Sequence, residues 1–388
     1  MGRTIVTGLD VGTASVRVAV CEIIKGARHP KVLALVKTES RGLRRGYVIN
    51  QEELSQVIRT VIGEAERQAQ VRIKNIFLGL GGVTLESRIG ENQIVVSRAD
   101  TEITENDINR VIELAETSLP DMANNRIIHT IPIYFKLDGK KIPGRPEGMR
   151  GTKLEVRVLF IVCLDQHLNG LVRAVESASV SVKDIVAAPL AAGFTALNTQ
   201  QKTVGCVLTN IGSQTTSIAV FEDGIPISLQ ILPIGSMDIT NDIALGLRVP
   251  LDEAERLKLN GDQLLTFRKK LDEIIEARLS DMFDLIERHL KKIGRSGLLP
   301  AGIIITGGGG NIENISGLAK EELHLPARVF TPTGENQSRP ILKDSNWVVA
   351  YGLCLFGLGG DNIEISIIPG IFRGVKRTFI HWLKELWP

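Results

Sequence analysis

Two short turns, about two hundred residues apart, constrain this 388-residue chain more than any other feature. Asp10-Val11-Gly12-Thr13 joins the β-rich runs Thr4–Leu9 and Ser15–Ile23. Asn210-Ile211-Gly212-Ser213-Gln214-Thr215 joins Val204–Thr209 and Thr216–Phe221 in the same manner. Strand, Asp-x-Gly-Thr, strand is a hairpin suited to phosphate. Glycine lets the backbone approach, amides and the Thr hydroxyl donate, and the carboxylate holds magnesium through water. One such turn is an ordinary bend. Two of them, with the run Ile303–Thr306 leading into Gly307-Gly308-Gly309-Gly310, predict two related halves that share one phosphate group. No G-x-x-x-x-G-K-[ST] loop is present, and neither glycine turn opens a helix as a dinucleotide fingerprint requires.

Between these turns strand and helix patterns alternate. Lys31–Thr38 reads as a strand, and Leu54, Val57, Ile58, Val61, Ile62 and Ala65 share one face of a helix over 51–70. Ile76–Leu80 reads as a short buried strand. The texture then changes. Strands at Ile94–Val96, Ile127–Ile133 and Leu154–Val162 surround a helix capped at Thr104, with a Pro/Gly-rich loop over 142–151. This block predicts a small α+β unit inserted in the first half. Alternation resumes with helices at Gln166–Ser177 and Pro189–Leu197. A long helical region covers 251–294, and Val348–Leu358 reads as a buried helix.

These features resemble the actin, heat-shock chaperone and sugar kinase ATPases, and more narrowly the bacterial FtsA cell-division family. The narrower likeness spans nearly the whole chain. It rests on Gly8–Thr13, Ser40–Val48, Glu102–Asp107, Ile128–Pro132, Ile231–Ala244 and Ala254-Glu255-Arg256-Leu257-Lys258. It implies an actin-like α/β fold of two duplicated ribonuclease H-like domains, with an inserted subdomain 1C that takes part in self-association. The implied division is 1A over 1–82 and 165–198 with a last helix at 344–358, and 1C over 83–164. Subdomain 2A then covers 199–250 and 301–343, 2B covers 251–300, and a linker at 359–369 precedes an amphipathic helix over 370–388.

The resemblance also implies ATP and magnesium. Asp10, Gly12, Thr13 and Ser15 would meet the phosphates from one side, with Asp10 holding the metal through water. Asn210, Gly212, Thr215 and Thr216 would meet them from the other, and Gly235 would sit near the terminal phosphate. Glu255 and Lys258, which alone read as a solvated surface pair, would reach ribose and base above Gly307, Gly308 and Gly309. Arg278 on 2B would contact the C-terminal peptide of FtsZ. Several positions depart from the family pattern. Asn210 stands where an aspartate is usual, Ser213 and Gln214 replace glycines, Ser15 stands where a Lys is usual, and Ser236 follows Gly235 in place of Gly. Without that aspartate's charge the second hairpin attracts magnesium less, so binding with slow or absent hydrolysis is expected.

The last residues carry a separate message. At 100° per residue Phe372, Val375, Phe379, Trp382, Leu383, Leu386 and Trp387 share an arc, and Arg373, Arg377 and Lys384 oppose it. Lys376 falls within the arc, where its stem can snorkel. Residues 371–388 hold four Lys or Arg and one Glu in a chain of net charge +2, and two of its three Trp. A basic, Trp-bearing amphipathic helix after a glycine linker fits an anionic membrane surface better than the protein's own core. No uncharged apolar run is long enough to cross a bilayer. The opening strand leaves no room for a signal peptide, and the Met-Gly start lacks the Ser or Thr at position 6 of a myristoylation site. Near-neutral charge argues against nucleic acid. Four scattered cysteines read as buried thiols in a reducing cytoplasm. The reading is an ATP-binding protein that polymerises on the cytoplasmic face of the membrane at the division site and tethers FtsZ. The alternatives are a PilM-type pilus-assembly scaffold, which would not need the terminal helix, and a small-molecule kinase, for which no substrate-pocket base is identifiable.

Overall fold

The computed structural model describes residues 4–24, 30–96, 101–260, 268–331 and 344–359. The terminal segment over 370–388, with all its expected membrane contacts, lies outside them. The first half begins with β1 (Thr4–Val11), β2 (Ser15–Ile23), β3 (Lys31–Glu39) and the small hairpin β4 (Leu43–Arg44) and β5 (Tyr47–Val48). It continues with α1 (Gln51–Ala69) and β6 (Asn75–Leu80). The insert holds β7 (Glu86–Val95), α2 (Glu105–Thr117), β8 (Asn125–Leu137), β9 (Lys140–Ile142) and β10 (Lys153–Leu164). Then follow α3 (Asp165–Glu176), β11 (Ser181–Ala187), α4 (Ala188–Ala196) and α5 (Thr199–Val204). The second half runs through β12 (Cys206–Ile211), β13 (Thr216–Glu222), β14 (Ile225–Leu232), α6 (Ser236–Leu247), α7 (Leu251–Asn260) and α8 (Arg268–Lys292). It ends with β15 (Ile303–Thr306), α9 (Ile315–Leu323) and β16 (Ala327–Val329), after which α10 (Val348–Gly359) returns to the first half.

The duplication is visible in sheet order. The first sheet is β11-β6-β1-β2-β3, and the second contains β16-β15-β12-β13-β14. In each, an antiparallel three-strand meander is followed by two parallel strands in the same sequence of neighbours. Asp10 pairs with Arg17 across the first hairpin, and Asn210 pairs with Ser217 at the equivalent place in the second. This is the actin-like two-domain fold with an inserted α+β unit.

Local chemistry sets the element ends. Asn50 caps α1 by accepting the Glu53 amide at 3.2 Å, and Gln70 closes it in the left-handed region. At α2 the Asp107 carboxylate accepts both the Thr104 amide (2.8 Å) and its hydroxyl (2.6 Å). Some expectations shift. Val204 ends α5, so the second meander starts at Cys206. The region 251–294 contains two described helices. β7 extends well before Ile94, through a polar stretch whose pairing with β10 compensates for its weak apolar pattern.

Three buried clusters form: one runs from the first half onto one face of β8, β10 and β12–β14, the second lies between the other face of the second sheet and α6, α8 and α9, and the third belongs to the insert. The insert does not belong to the first half alone. Its strands extend the second half's sheet to nine, through the pair Gln230 and Glu86 between β14 and β7. The Ser87 hydroxyl donates to Leu229 O and accepts its N–H, both at 2.8 Å. On the other side His129 Nε2 of β8 accepts the Ala187 amide at 3.0 Å, fastening the insert to the first half.

α10 lies on the first sheet backbone to backbone. A Cβ at Gly8 would come 2.2 Å from Ala350 O, and one at Gly352 would come 1.8 Å from Ala191 O of α4. At its far end Phe356 stacks edge-on against Phe77, beside Val6 and Gly357. All four cysteines are buried free thiols. Among the described residues no helix is long and apolar enough to cross a membrane.

Candidate functional site

The first hairpin turns at Gly12, whose amide donates to Ser15 O at 3.2 Å. A side chain there would crowd that oxygen, its Cβ at 3.0 Å. Thr13 and Ser15 are half-buried at the tip. Asp10 lies largely buried, and burial raises its pKa, with Arg17 opposing the rise. Arg17 Nη1 sits 3.8 Å from the carboxylate, and Nη2 donates to Asn346 Oδ1 at 3.5 Å. Its Nε is buried without a hydrogen-bond partner. Motif reading does not single out Arg17, because it seeks the cation at position 15. The signal that finds it is the register: a hairpin turning at Gly12 puts a lone Arg in an apolar strand directly opposite Asp10.

In the second hairpin Gly212 donates to Thr215 O at 2.9 Å, copying the first turn. Its carbonyls then receive the first amides of α6: Ser236 N–H donates to Gly212 O and Met237 N–H to Ser213 O, each at 2.8 Å. Gly235 passes so close that a Cβ would lie 2.4 Å from Ser213 O. The positive end of α6 thus faces the turn expected to meet the terminal phosphate. Thr216 is turned away. It is fully buried, and its hydroxyl donates to Ile234 O at 2.9 Å, holding β13 to the strand end before α6. Thr215, by contrast, stays half-buried at the tip. Gln214 crosses between the halves, its Oε1 accepting the Arg45 amide at 2.8 Å. Arg45 is in the left-handed region (φ 50°), and its carbonyl accepts Val83 N–H at 3.2 Å.

The glycine run packs under this hairpin. Gly307 has φ 86°, and a Cβ on it would come 2.3 Å from Asn210 Oδ1. One on Gly309 would come 2.3 Å from Ile211 Cγ2. Gly308 neighbours Asn346, whose Oδ1 would be 3.1 Å from its Cβ. Asn346 therefore touches both Arg17 and the glycine platform, and Ser345 donates to Gly307 O at 3.1 Å. Glu255 and Lys258 join the group through the start of α6. Lys258 Nζ donates to Glu255 Oε2 (2.7 Å), Thr240 Oγ1 (2.8 Å) and Ser236 O (3.2 Å). Burial pushes the Glu255 carboxyl up, but hydrogen bonds from Lys258 and Thr240 (2.6 Å) outweigh it and hold the pKa below the ordinary range. This pair is part of a built network rather than a solvated surface pair.

Arg278 lies apart from this group. Its guanidinium grips Asp242 of α6 through two bonds, Nε–Oδ2 at 2.5 Å and Nη2–Oδ1 at 3.0 Å, and reaches Asp281 at 3.2 Å.

The donor set fits a polyanion that carries its own cation. The partnerless Nε of Arg17 offers a buried positive donor, and the turn glycines give close access. Protein ligands alone do not make a metal site: no cluster of three His, Cys, Asp or Glu occurs among the described residues. The nearby carboxylate is Asp10, and Asn210 adds a neutral oxygen. Such a pair suits magnesium held mostly by water and phosphate.

Known proteins share this arrangement of halves and insert. The family model described as "Cell division protein FtsA" matches residues 207–352, and "SHS2 domain inserted in FTSA" matches 82–162. The chain is 30% identical to "Cell division protein FtsA" of Pseudomonas aeruginosa, over 94% of this chain and 92% of that protein. It is 29% identical to the Bacillus subtilis protein of the same name, over 92% and 84% respectively. Among solved structures it resembles one titled "PilM-PilN type IV pilus biogenesis complex" with a TM-score of 0.68. The two are 19% identical over 91% of this chain and 98% of that one.

Proposed function

Because this chain belongs to the FtsA family of cell division proteins, we propose that it binds ATP with magnesium between its halves, polymerises on the cytoplasmic membrane face and tethers FtsZ filaments there. The observation that carries the nucleotide reading is the buried, partnerless Nε of Arg17, set between Asp10 and the glycine platform. Gly12 and Thr13, with Gly212 and Thr215, would cradle the phosphates, and Glu255, Lys258 and Gly307–Gly309 would flank the nucleoside. Arg17 joins the set, and Thr216 serves it by shape alone. Magnesium, when bound with the nucleotide, would neutralise charge between the phosphate oxygens. Asp10 would orient its waters, and Asn210 would offer an oxygen without charge. The neutral side chain at position 210 supports slow hydrolysis.

The apolar arc and the opposing basic side over 370–388 support attachment to anionic lipid. One such helix gives a weak, reversible anchor, and a polymer multiplies it by avidity. The insert supplies a self-association surface, and Arg278, with α6 and α8 around it, offers a docking place for the FtsZ peptide. In this scheme the insert is subdomain 1C, and α7 and α8 form 2B.

Electron microscopy on anionic lipid monolayers tests the reading: filaments are expected with ATP, and the Phe379→Glu/Trp382→Glu variant should leave the lipid bare. Monomers on lipid in every nucleotide state would refute polymerisation. Phosphate release of several turnovers per second from the same preparation would refute slow hydrolysis.

A further inference from the structure

The five strands of the first sheet end in a row on the side opposite the hairpin turn. Ser181, Asn75 and Thr4 begin the parallel strands β11, β6 and β1, Ile23 ends β2, and Lys31 begins β3. The turn holding Asn346 at the glycine platform leads into α10, which runs antiparallel to β1 to Phe356 and Gly357 beside Val6 and Phe77 near this row. The chain towards residues 370–388 therefore leaves the body at this edge.

The same edge is basic. Lys31, Arg72, Lys74 and Lys183 are exposed there, Lys183 lying 5.1 Å over the Phe77 ring. Ile24, 46% exposed, projects at the end of β2. The acidic groups at this end are engaged or set back. Glu66 accepts the Ile73 amide at 2.7 Å, Glu22 faces Lys31 across the strand pair, and Asp184 is buried with its carboxylate on the Ile185 amide. Glu176 ends α3 nearby. Ten residues, 360–369, separate the body from the amphipathic segment. Even fully extended, ten residues reach at most about 33–36 Å, so an anchored terminal segment keeps this edge close to the surface.

We infer that this strand-start edge faces the anionic bilayer as a second membrane contact, with Lys31, Arg72, Lys74 and Lys183 meeting lipid phosphates and Ile24 entering the headgroup layer. The inference rests on the reading of residues 370–388 as the anchor. The anchor tethers the edge close to the lipid, where direct contact with its phosphates becomes available, and the edge fixes which way the body faces.

The test uses the full chain and vesicles of phosphatidylcholine with phosphatidylglycerol. Neutralising Lys31→Gln, Arg72→Gln and Lys74→Gln together removes three surface charges at about fivefold each, so affinity should fall on the order of a hundredfold at low salt. These side chains are exposed, and an unchanged melting curve checks that the fold survives. An environment-sensitive dye on Ile24→Cys should shift to the blue on these vesicles, and the same dye on Val95→Cys in the insert should not. Wild-type affinity in the triple variant, or an unshifted dye at position 24, overturns the inference. Undiminished binding by Phe379→Glu/Trp382→Glu would instead overturn the anchor, an outcome separable from the first two.

Discussion

Gln214 makes the contact whose removal is most informative. It reaches from the second hairpin to the Arg45 amide 169 residues away in sequence, and Arg45 is itself held by Val83 N–H. On the proposed reading, opening the halves to release a nucleotide breaks this bond. Gln214→Ala deletes it without disturbing the turn, because position 214 is not in the left-handed region. A side chain–backbone hydrogen bond contributes about 0.5–1.5 kcal/mol. This one is exposed, so water replaces the lost acceptor and the lower part of that range applies. The closed state should lose about 0.5–1 kcal/mol, which corresponds to a two- to fivefold faster release of nucleotide. The assay is dissociation of a fluorescent ATP analogue chased with excess ATP in stopped flow. Association should change little, since the bond forms on closure. An unchanged or slower release rate would show that the Gln214 bridge does not restrain the halves.

Two further perturbations test the scaffold. Gly352→Ala puts a Cβ 1.8 Å from Ala191 O, and since backbone must move, a loss of at least about 1–3 kcal/mol is expected as a lower melting temperature; a melting temperature equal to wild type would show that α10 is less tightly seated. Burial depresses the ring pKa of both His129 and His289 from 6.5 to about 4, with Lys292 adding to the effect at His289. The unfolded chain takes up these protons first, so stability is full above pH 6.5 and falls as pH drops towards 4, by roughly 3 kcal/mol per histidine at pH 4. Denaturant melts across that window should show the slope, and His289→Gln should reduce it; an identical slope in the variant would exclude His289 as a source.

Much of the architecture is legible in the sequence because both turns carry local chemistry. Asp10-Val11-Gly12-Thr13 and Asn210-Ile211-Gly212 specify close backbone approach within a few residues, and the structure brings both to one glycine platform. What sequence does not supply lies in register and long-range pairing. Arg17 is adjacent to Asp10 only across a strand pair, and its neighbours Val16 and Val18 make it look like an ordinary strand position. Thr216 sits next to Thr215, yet strand alternation sends it inward to Ile234 O. Gln214 reads as a lost glycine, whereas it gains a partner in the other half. The insert's attachment to β14 is a short pairing at Gln230 and Glu86 that Ser87 reinforces through its side chain, and no periodicity announces it.

The seating of α10 has a mechanical consequence. The helix is twelve residues long, about 18 Å, and glycines at 8 and 352 press its backbone onto β1 and α4 with no side-chain cushion between them. It can neither roll nor slide without backbone collision. The point at which the chain leaves α10 is therefore fixed to the first half. On the proposed reading, a polymer of such molecules would therefore set its attachment points on the lipid at the spacing of its subunits, as a regular ladder.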